Sequence, residues 1–431
     1  MGRPPFSVMI LGEPAPRPYS RPGNGAGQKS PSKYAILTFM RIALNAHLLA
    51  NGPSYRAAGI HSYISNLLRH LPAAVEGDDD WRFEAHVGAG NTAAFDGIHM
   101  ARAGADTSSA WRRILWEQTQ QPRELRGVDL HHAMAFVAPI VLPAPMVVTV
   151  YDLSFIRYPG RMSPARRHYL RLMTSLTCKR ARRILAISQS TADDLQKELG
   201  LPARKIDVTP LGYDKALFFP RQPAEIDHFR RKHSLPERFW LFVGTLEPRK
   251  NLMLLLEAYR LLDKDARLPL ILGGGVGWRG EQILAAIEQM ELSDAVKHVG
   301  FVPAADLPLW YNCAEAFLYP SIYEGFGLPV LEAMACGTPV IASDVAALTE
   351  IVGKAGLCIA PDNLVRWAAA LQAVREEDEW RETVGQYAAL GAQRYSWQRT
   401  ALLTVRSYLY AMLDKDPPPL EDQEDASDAS E

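Results

Sequence analysis

Cysteine and long uncharged runs are scarce in this chain of 431 residues. Its four cysteines lie far apart, with no CxxC pair and no histidine at metal-ligand spacing, so a disulfide scaffold is excluded and reduced, mostly buried thiols are expected. The longest uncharged run, residues 133–150, contains three prolines, which predicts a loop and a buried strand rather than a membrane span. No basic segment followed by an apolar one opens the chain, and a cytoplasmic location is therefore expected.

A marked excess of either charge is also absent. The chain has 47 basic and 48 acidic residues, and this balance argues against a dedicated nucleic-acid binder, which would carry a basic excess. Only the ends are lopsided, with a net charge of +4 over residues 1–39 and −7 over residues 414–431. Apolar residues are abundant at 48%, enough for a globular protein with a large core.

Composition and periodicity divide the chain into segments. Residues 1–39 are rich in proline and glycine and are expected to form a disordered extension, and residues 414–431 a disordered acidic tail. The predicted strands are 41–46, 83–87, 146–150, 184–187, 206–209, 240–244, 269–272, 297–299, 316–319 and 339–342. The predicted helices include 59–71, 164–182, 190–199, 251–262, 280–291, 306–313, 328–336 and 363–374.

This alternation of strands and helices predicts an α/β fold with parallel sheets. Ten strands are too many for one doubly wound sheet of this kind, so we expect two Rossmann-like domains, 40–213 and 236–395. The run 214–235 lacks strand signals and is predicted to be the linker. A last helix, 396–413, is predicted to cross back to the first domain.

Ligands of such sheets gather beyond the carboxyl ends of the strands. After the strand 240–244, Arg249 and Lys250 stand together before a helix, a natural clamp for a diphosphate because arginine grips phosphate oxygens bidentately and lysine adds a point charge. An isolated Arg-Lys pair is more often a solvated basic turn. The glycine-rich loop 273–277 contains no GxGxxG, and the turn 300–303 could hold a nucleotide base or merely connect.

The most informative segment is 320–339, in which Glu324 precedes a predicted helix and Glu332 lies inside it. A carboxylate can accept two hydroxyl protons at once, which suits a ribose diol or a hexose. The backbone N–H groups at the helix start are expected to point toward a nearby diphosphate; they belong to Phe326, Gly327 and Leu328. The alternative is a loop acid and a surface helix residue.

Residues 324–339, Glu-Gly-Phe-Gly-Leu-Pro-Val-Leu-Glu-Ala-Met-Ala-Cys-Gly-Thr-Pro, resemble the Glu-x7-Glu signature of retaining nucleotide-sugar glycosyltransferases of family 4, which have the GT-B fold. Residues 243–252 resemble the diphosphate-binding turn of that family, with Thr245 where some relatives have arginine. Residues 299–303, which include Val302, resemble its base-binding turn. The similarity covers roughly residues 40–413.

The resemblance implies that Arg249 and Lys250 neutralise the donor diphosphate, that Glu324 touches the donor sugar and that Glu332 holds the ribose diol. Gly59 matches the glycine of the first loop near donor and acceptor. Neither a cofactor nor a metal is implied, because the nucleotide sugar is a substrate and the two cations do the neutralising.

One position departs from the family. Members commonly have His-Asp-Leu after the strand that ends at Val150, whereas this chain has Tyr151 and Asp152 there. A tyrosine can still donate a hydrogen bond near the transferred sugar, and His131 or His132 could compensate.

Two further segments have competing interpretations. Asp78-Asp79-Asp80 contains the Asp-x-Asp metal motif of another transferase fold, but its place between a helix and a strand favours a solvated loop. The basic stretch 157–183 could rest on an anionic membrane, where lipid-linked acceptors are held, or could be a solvated helical face.

The favoured function is a retaining hexosyltransferase that acts on a glycan or lipid-linked saccharide. Residues 152–159, Asp-Leu-Ser-Phe-Ile-Arg-Tyr-Pro, resemble O-antigen-type mannosyltransferases, which implies mannose from GDP-mannose as the donor. In the second hypothesis the chain has the same fold but does not catalyse transfer, and it binds the nucleotide sugar as a partner protein in a glycan-assembly complex. A third, a nicotinamide dehydrogenase, lacks GxGxxG after the first strand.

Overall fold

The computed structural model describes residues 39–49, 58–104, 107, 109–158, 160 and 162–416. Of the predicted extension 1–39 and the predicted tail 414–431, residues 1–38 and 417–431 lie outside the described residues, as do positions 50–57, 105, 106, 108, 159 and 161. The described residues form two parallel sheets flanked by helices, so the prediction of two Rossmann-like domains is confirmed.

The first sheet has seven parallel strands in the order β3-β2-β1-β4-β5-β6-β7. Their bounds are β1 Met40–Asn45, β2 Trp81–Val87, β3 Ile98–Arg102, β4 Leu130–Ala133, β5 Met146–Val150, β6 Arg183–Ala186 and β7 Ile206–Val208. The strand order runs outward in opposite directions from β1 and β4, so the switch point lies between these two strands. Ligands of such sheets bind beside the switch point.

The second sheet has six parallel strands in the order β10-β9-β8-β11-β12-β13. Their bounds are β8 Trp240–Val243, β9 Leu270–Gly273, β10 Val296–Gly300, β11 Ala316–Tyr319, β12 Val340–Ser343 and β13 Leu357–Ile359. The switch point here lies between β8 and β11, and the loops that follow these two strands carry the predicted cations and Glu324.

Fifteen α-helices are present in the described part of the chain. They are α1 Ala58–Ala74, α2 Ala110–Thr119, α3 Gln121–Glu124, α4 Ser154–Arg157, α5 Pro164–Arg180, α6 Gln189–Leu199, α7 Pro223–Lys232, α8 Leu252–Leu261, α9 Gly280–Gln289, α10 Leu307–Cys313, α11 Leu328–Ala335, α12 Ala346–Val352, α13 Leu364–Glu376, α14 Asp378–Ala392 and α15 Trp397–Leu413.

All ten predicted strands are present within two residues, but β3, β4 and β13 were not predicted. Strand β4 is entirely buried yet contains His131 and His132, which conceal the apolar signal of a central strand. Strands β3 and β13 are short strands at the sheet edges. The run 214–235, predicted as a linker, contains helix α7, whose first residue, Pro223, suits the first turn of a helix because its missing N–H needs no partner there.

Helix α15 lies against the first sheet and contacts β4, β5 and β6. The hydroxyl of Tyr408 on this helix is 2.6 Å from Nδ1 of His132, and Arg182 donates to the carbonyl of Ala411 at 2.7 Å. At the start of the helix, a Cβ added to Gly212 would lie 2.1 Å from the backbone nitrogen of Trp397, so only glycine permits this approach. The last helix therefore ties the end of the chain to the first domain.

Candidate functional site

The two cations predicted to grip a diphosphate are positioned by a single tight turn. Strand β8 leads into a 3-10 turn, Pro248–Lys250, after which Asn251 adopts a left-handed φ of 56° and opens α8. The turn lies against the loop that follows β11, because the carbonyl of Arg249 accepts a hydrogen bond from the N–H of Ile322 at 3.0 Å. Segments more than 70 residues apart in sequence thus meet at the switch point.

Arg249, Lys250 and Glu324 converge as one ion-paired cluster. Arg249 Nη1 lies 2.9 Å from Glu324 Oε2, and Lys250 Nζ lies 2.6 Å from Glu324 Oε1. The Lys250 ammonium also donates to the Tyr319 hydroxyl. Glu324 is 9% exposed and Lys250 is 6% exposed, so the pairs lie largely out of water, where charge interactions are strong.

Arg249 has a second carboxylate partner that the sequence interpretation missed. Its Nη2 lies 3.0 Å from Glu247 Oε1, and its Nη1 also donates to the carbonyl of Tyr323 at 2.6 Å. Glu247 stands two positions before Arg249 in the quoted turn, and that proximity was the available signal. The guanidinium is therefore fixed by three groups before any ligand binds.

The pKa values of the cluster follow from burial and charge together. Burial opposes the charged form of Glu324, but Arg249 and Lys250 outweigh it and lower the pKa of Glu324 to about 2. Burial lowers the pKa of Lys250 to about 8, although Glu324 partly opposes the shift. Glu324 and Glu247 overcome burial and raise the pKa of Arg249. At neutral pH these groups are charged, and Lys250 is the one closest to losing its proton.

Glu332 has a different environment. It lies in α11, is partly exposed, and accepts a hydrogen bond from the Tyr311 hydroxyl at 3.2 Å. Burial raises the pKa of Glu332 to about 8, and the Tyr311 hydrogen bond offsets only part of that shift. Burial thus favours the neutral form of Glu332, whereas the cations beside Glu324 favour the charged form of Glu324.

The start of α11 presents backbone donors beside the ion-paired cluster. Gly327 is the N-cap and has a φ of 120°, a conformation that residues with a side chain rarely adopt. Leu328 is the first helical residue, and the first N–H groups of a helix have no partner within it. Phe326, which precedes the cap, has its side chain buried, with its ring centroid 5.8 Å from that of Tyr395.

The turns after β8, β9 and β10 lie directly against one another. Gly274, with a φ of 135°, donates to the carbonyl of Gly300 at 2.6 Å, and a Cβ there would lie 2.0 Å from the carbonyl oxygen of Gly244. Val302 is buried beside the end of β9, and Thr245 packs against the Gly277 backbone. The predicted base-binding and diphosphate-binding turns therefore belong to one continuous surface.

The first domain closes directly onto the Glu324 loop. A Cβ added to Gly325 would lie 2.0 Å from the carbonyl oxygen of Tyr151 and 3.0 Å from Cβ of Asp152. Ser188 Oγ donates to the carbonyl of Gly325 at 2.6 Å. The carboxylate of Asp152 accepts from the N–H of Ser154 at 2.9 Å and contributes to the raised pKa of Arg249. Asp152 is therefore electrostatically coupled to the cation cluster across the domain boundary.

A tyrosine hydroxyl that the sequence interpretation missed also bridges the two domains. The Tyr323 hydroxyl accepts from the N–H of Leu153 at 2.9 Å and donates to Asp194 Oδ2 at 2.8 Å. Asp194 in turn pairs with Arg157 Nη2 at 2.6 Å. Tyr323 immediately precedes Glu324, so this bridge holds the loop on which the carboxylate stands.

The hydroxyl of Tyr151 does not face the cleft, contrary to the sequence-based expectation. It donates to the carbonyl of Met134 at 2.7 Å, and burial raises its pKa well above the usual value. His131 and His132 are both fully buried and do not compensate. His132 is held between Tyr408 and the Thr149 hydroxyl, at 2.7 Å from the latter, and burial lowers the pKa of both histidines. The side chains of Tyr151, His131 and His132 therefore all lie in the interior of the first domain.

The remaining site predictions have these outcomes. Gly59 is the second residue of α1, and open space surrounds the position of an added Cβ. Within the described ranges, no group of three or more histidine, cysteine, aspartate or glutamate side chains is placed to hold a metal ion. Nor does any helix of the described part of the chain have the length and apolar character needed to cross a bilayer.

Comparison with known families matches both halves of the chain. Residues 57–217 match the model described as Glycosyltransferase Family 4, and residues 224–390 match Glycosyl transferases group 1. O-antigen chain mannosyltransferase B of Escherichia coli is 34% identical over 282 residues, which are 65% of this chain and 74% of that protein. D-inositol 3-phosphate glycosyltransferase of Paenarthrobacter aurescens is 35% identical over 244 residues, 54% of this chain and 58% of that protein.

Solved structures share the architecture at lower sequence identity. Sucrose-phosphate synthase from Thermosynechococcus elongatus has a TM-score of 0.70 at 23% identity, covering 87% of this chain and 100% of that one. Anabaena HepE in complex with UDP and glucose has a TM-score of 0.65 at 20% identity, covering 86% of this chain and 100% of that one. These similarities show the GT-B arrangement of two facing parallel-sheet domains.

Proposed function

The chain belongs to glycosyltransferase family 4, and we propose that it is a retaining hexosyltransferase that moves mannose from GDP-mannose to a glycan or lipid-linked saccharide. The observation that carries the proposal is the convergence of Arg249 and Lys250 on Glu324 in the cleft between the domains. Mannose is favoured because the matched Escherichia coli relatives include an O-antigen chain mannosyltransferase and the serotype-specific mannosyltransferase WbdA, the latter 29% identical over 53% of this chain.

The cluster suits a donor whose diphosphate replaces Glu324 as the partner of Arg249 and Lys250. A nucleotide-sugar diphosphate supplies phosphate oxygens that compete with Glu324 for Arg249 and Lys250. Once the phosphate takes these cations, the carboxylate of Glu324 is released to accept hydroxyl protons of the donor sugar. Because Glu247 and Tyr323 still hold the guanidinium, Arg249 keeps its position during the exchange.

The remaining contacts to the donor are proposed to come from the start of α11, from Glu332 and from the turn that contains Val302. The N–H groups of Gly327 and Leu328 are proposed to bind the diphosphate at the positive end of α11. Glu332 is proposed to hold the ribose diol. Val302 and its turn are proposed to hold the base through backbone groups.

The proposed reaction breaks the bond between the anomeric carbon and the diphosphate oxygen and forms a bond from that carbon to an acceptor oxygen on the same face. The acceptor hydroxyl proton passes to the leaving phosphate, so no protein nucleophile is needed. Charge grows on the leaving diphosphate as the bond breaks, and the preorganised cations stabilise that charge. Closure of the domains through Tyr323 and Gly325 excludes water.

A panel of GDP-mannose, UDP-glucose and ADP-glucose tests the proposal directly. We expect sugar transfer or release from GDP-mannose, with the α-configuration of the donor preserved in the product when it is examined by NMR, and loss of both in the Glu324→Ala variant. Transfer from another donor alone would overturn the mannose assignment, and an inverted product would overturn retention.

A second candidate function, nucleotide-sugar binding without turnover, is favoured by the orientation of Tyr151. Where family members commonly present a histidine, this chain has a hydroxyl committed to Met134. A thermal shift with GDP-mannose combined with no release of sugar would support this candidate, because binding to the native state raises its melting temperature whether or not reaction follows.

The pH profile of kcat/KM is expected to fall above about pH 8, because Lys250 must carry its proton to neutralise the donor diphosphate. This parameter reports ionisations of the free enzyme, in which burial lowers the pKa of Lys250. The Lys250→Arg variant is expected to be slower but to lack the alkaline decline, since a guanidinium stays protonated. An alkaline decline that is unchanged in this variant would assign it to another group.

A further inference from the structure

An unusual exposed surface lies on the first domain, outside the cleft. Six large apolar side chains, between 38% and 74% exposed, define what we call the apolar patch: Trp111, Leu115, Ile140, Val141, Leu172 and Leu176. They come from α2, from the loop after β4 and from α5. On α2 and on α5 the exposed pair is spaced four residues apart, so each pair lies on one helical face.

Hydrogen bonds join the three elements into one surface. The Gln118 side chain of α2 donates to the carbonyl of Ala138 at 3.3 Å and accepts from the N–H of Ile140 at 2.9 Å. The N–H of Ala138 donates to Thr177 Oγ1 of α5 at 3.2 Å. The loop therefore lies between the two helices and is hydrogen-bonded to both.

Both helices also cover the same face of the sheet. Asn45 of β1 donates to Glu117 Oε1 of α2 at 3.5 Å and lies opposite Ala133, which in turn lies opposite Val148. Ala133 and Val148 belong to the cluster that includes Cys178 of α5. Because paired residues of a sheet point to the same side, the outer surfaces of α2 and α5 face solvent in the same direction.

The two helices that carry the apolar patch are rich in positive charge. Helix α5 has no acidic residue, and the single acid of α2, Glu117, is buried. The two helices together carry seven cations: Arg112, Arg113, Arg166, Arg167, Arg171, Lys179 and Arg180. Apolar side chains that project from a basic surface match the requirements of a protein that inserts shallowly into a bilayer of anionic lipid.

We propose that the face formed by α2, residues 138–141 and α5 is a docking surface for an anionic lipid bilayer. The aliphatic side chains enter the acyl boundary and the flanking cations contact lipid phosphates. Two copies of the chain would bring seven cations against seven cations, which opposes self-association through this face. A single-stranded nucleic acid would require a series of aromatic platforms, and the patch offers only Trp111.

The chain that leads into α5 passes the second domain. Helix α4, Ser154–Arg157, lies between Asp152 and α5, and a Cβ added to Gly160 would lie 3.5 Å from the Trp278 ring of the second domain. A docked chain would therefore hold its cleft close to the membrane surface. A lipid-linked acceptor could reach the cleft without leaving the bilayer.

Co-sedimentation of the full chain with vesicles tests this surface without using transferase activity, so failure here leaves the proposed function standing. We expect binding to vesicles of phosphatidylcholine with phosphatidylglycerol, weak binding to phosphatidylcholine alone, and loss of binding as salt screens the charges. The Arg171→Gln/Lys179→Gln variant is expected to bind about thirtyfold more weakly, from about 1 kcal/mol for each cation. The Trp111→Ser/Leu172→Ser variant is expected to lose at least about tenfold.

Matched variants on the second domain control for charge and exposed apolar area. Arg260→Gln/Arg366→Gln removes two exposed cations, and Val365→Ser/Leu390→Ser removes two apolar side chains that are 71% and 61% exposed. Both are expected to bind as the unaltered chain does. Absence of binding to the anionic vesicles, or equal losses in patch and control variants, would overturn the proposal. Self-association that the patch variants abolish would assign the face to a second copy instead.

Discussion

Replacing Arg249 with alanine is expected to lower kcat/KM for the nucleotide-sugar donor by about 10²–10³, the cost of removing one preorganised group that stabilises developing charge. Glu247, Glu324 and the Tyr323 carbonyl hold the guanidinium before the donor binds, so little reorganisation is required at the moment of reaction. Most of the loss is expected in kcat, because charge on the diphosphate grows as the sugar bond breaks.

The matched control is Arg381→Ala. Arg381 resembles Arg249 in exposure, 14% against 12%, and its Nε lies 2.7 Å from Glu315 Oε2. Glu315 precedes β11, so this ion pair lies at the amino end of the sheet, opposite the cleft. Both variants lose a partly buried ion pair and some stability, but only Arg249→Ala is expected to lose transfer. Equal losses of activity would show that Arg249 acts through stability alone.

The switch-point chemistry was largely predictable from the sequence because each motif follows a strand in a fixed order. Arg249 and Lys250 follow β8, and Glu324 follows β11, so a doubly wound sheet that places β8 beside β11 brings them together. The exchangeable ion pair was not predictable. It depends on the directions of side chains that are 74 positions apart in the sequence, and no local pattern encodes them.

The orientation of the Tyr151 side chain could not be predicted from the sequence either, for a different reason. Motif position placed this residue where family members commonly have a histidine, near the transferred sugar, and the backbone does pass the cleft at Gly325. Its ring instead packs edge-on against Tyr63, at 5.2 Å between centroids, and its hydroxyl finds Met134. A buried hydroxyl needs a partner, and the interior of the first domain supplied one, which sequence position alone does not reveal.

Strand β4 and helix α7 were missed because polar or breaking residues stand inside or beside regular structure, whereas β3 and β13 are short strands at the sheet edges. His131 and His132 interrupt the apolar run of β4, and the prolines around α7 suggested a linker. In β4 tertiary contacts provide the compensation, since His132 bonds to Tyr408 and Thr149. Such compensation comes from distant parts of the chain, so local propensity cannot report it.

Replacing Gly325 with alanine is expected to lower kcat by about 10², because misplacement of a reacting group by about 1 Å can cost that much. The added Cβ would lie 2.0 Å from the carbonyl oxygen of Tyr151, which is backbone and cannot rotate away, so the Glu324 loop or the whole domain must shift. Arg249 and Lys250 stand on the turn after β8, where Glu247 also holds Arg249, so the dissociation constant of the donor should change less than kcat.

The control for this substitution is Gly104→Ala, where open space surrounds the added methyl group and the activity is expected to stay unchanged. Steady-state transfer and calorimetric donor binding, measured on both variants, distinguish a displaced loop from a lost binding site. If Gly325→Ala retained full kcat, contact between Gly325 and Tyr151 would not be part of the reactive arrangement. The domains would then react from a more open state, and the hydrogen bond from Ser188 to Gly325 would serve the resting protein only.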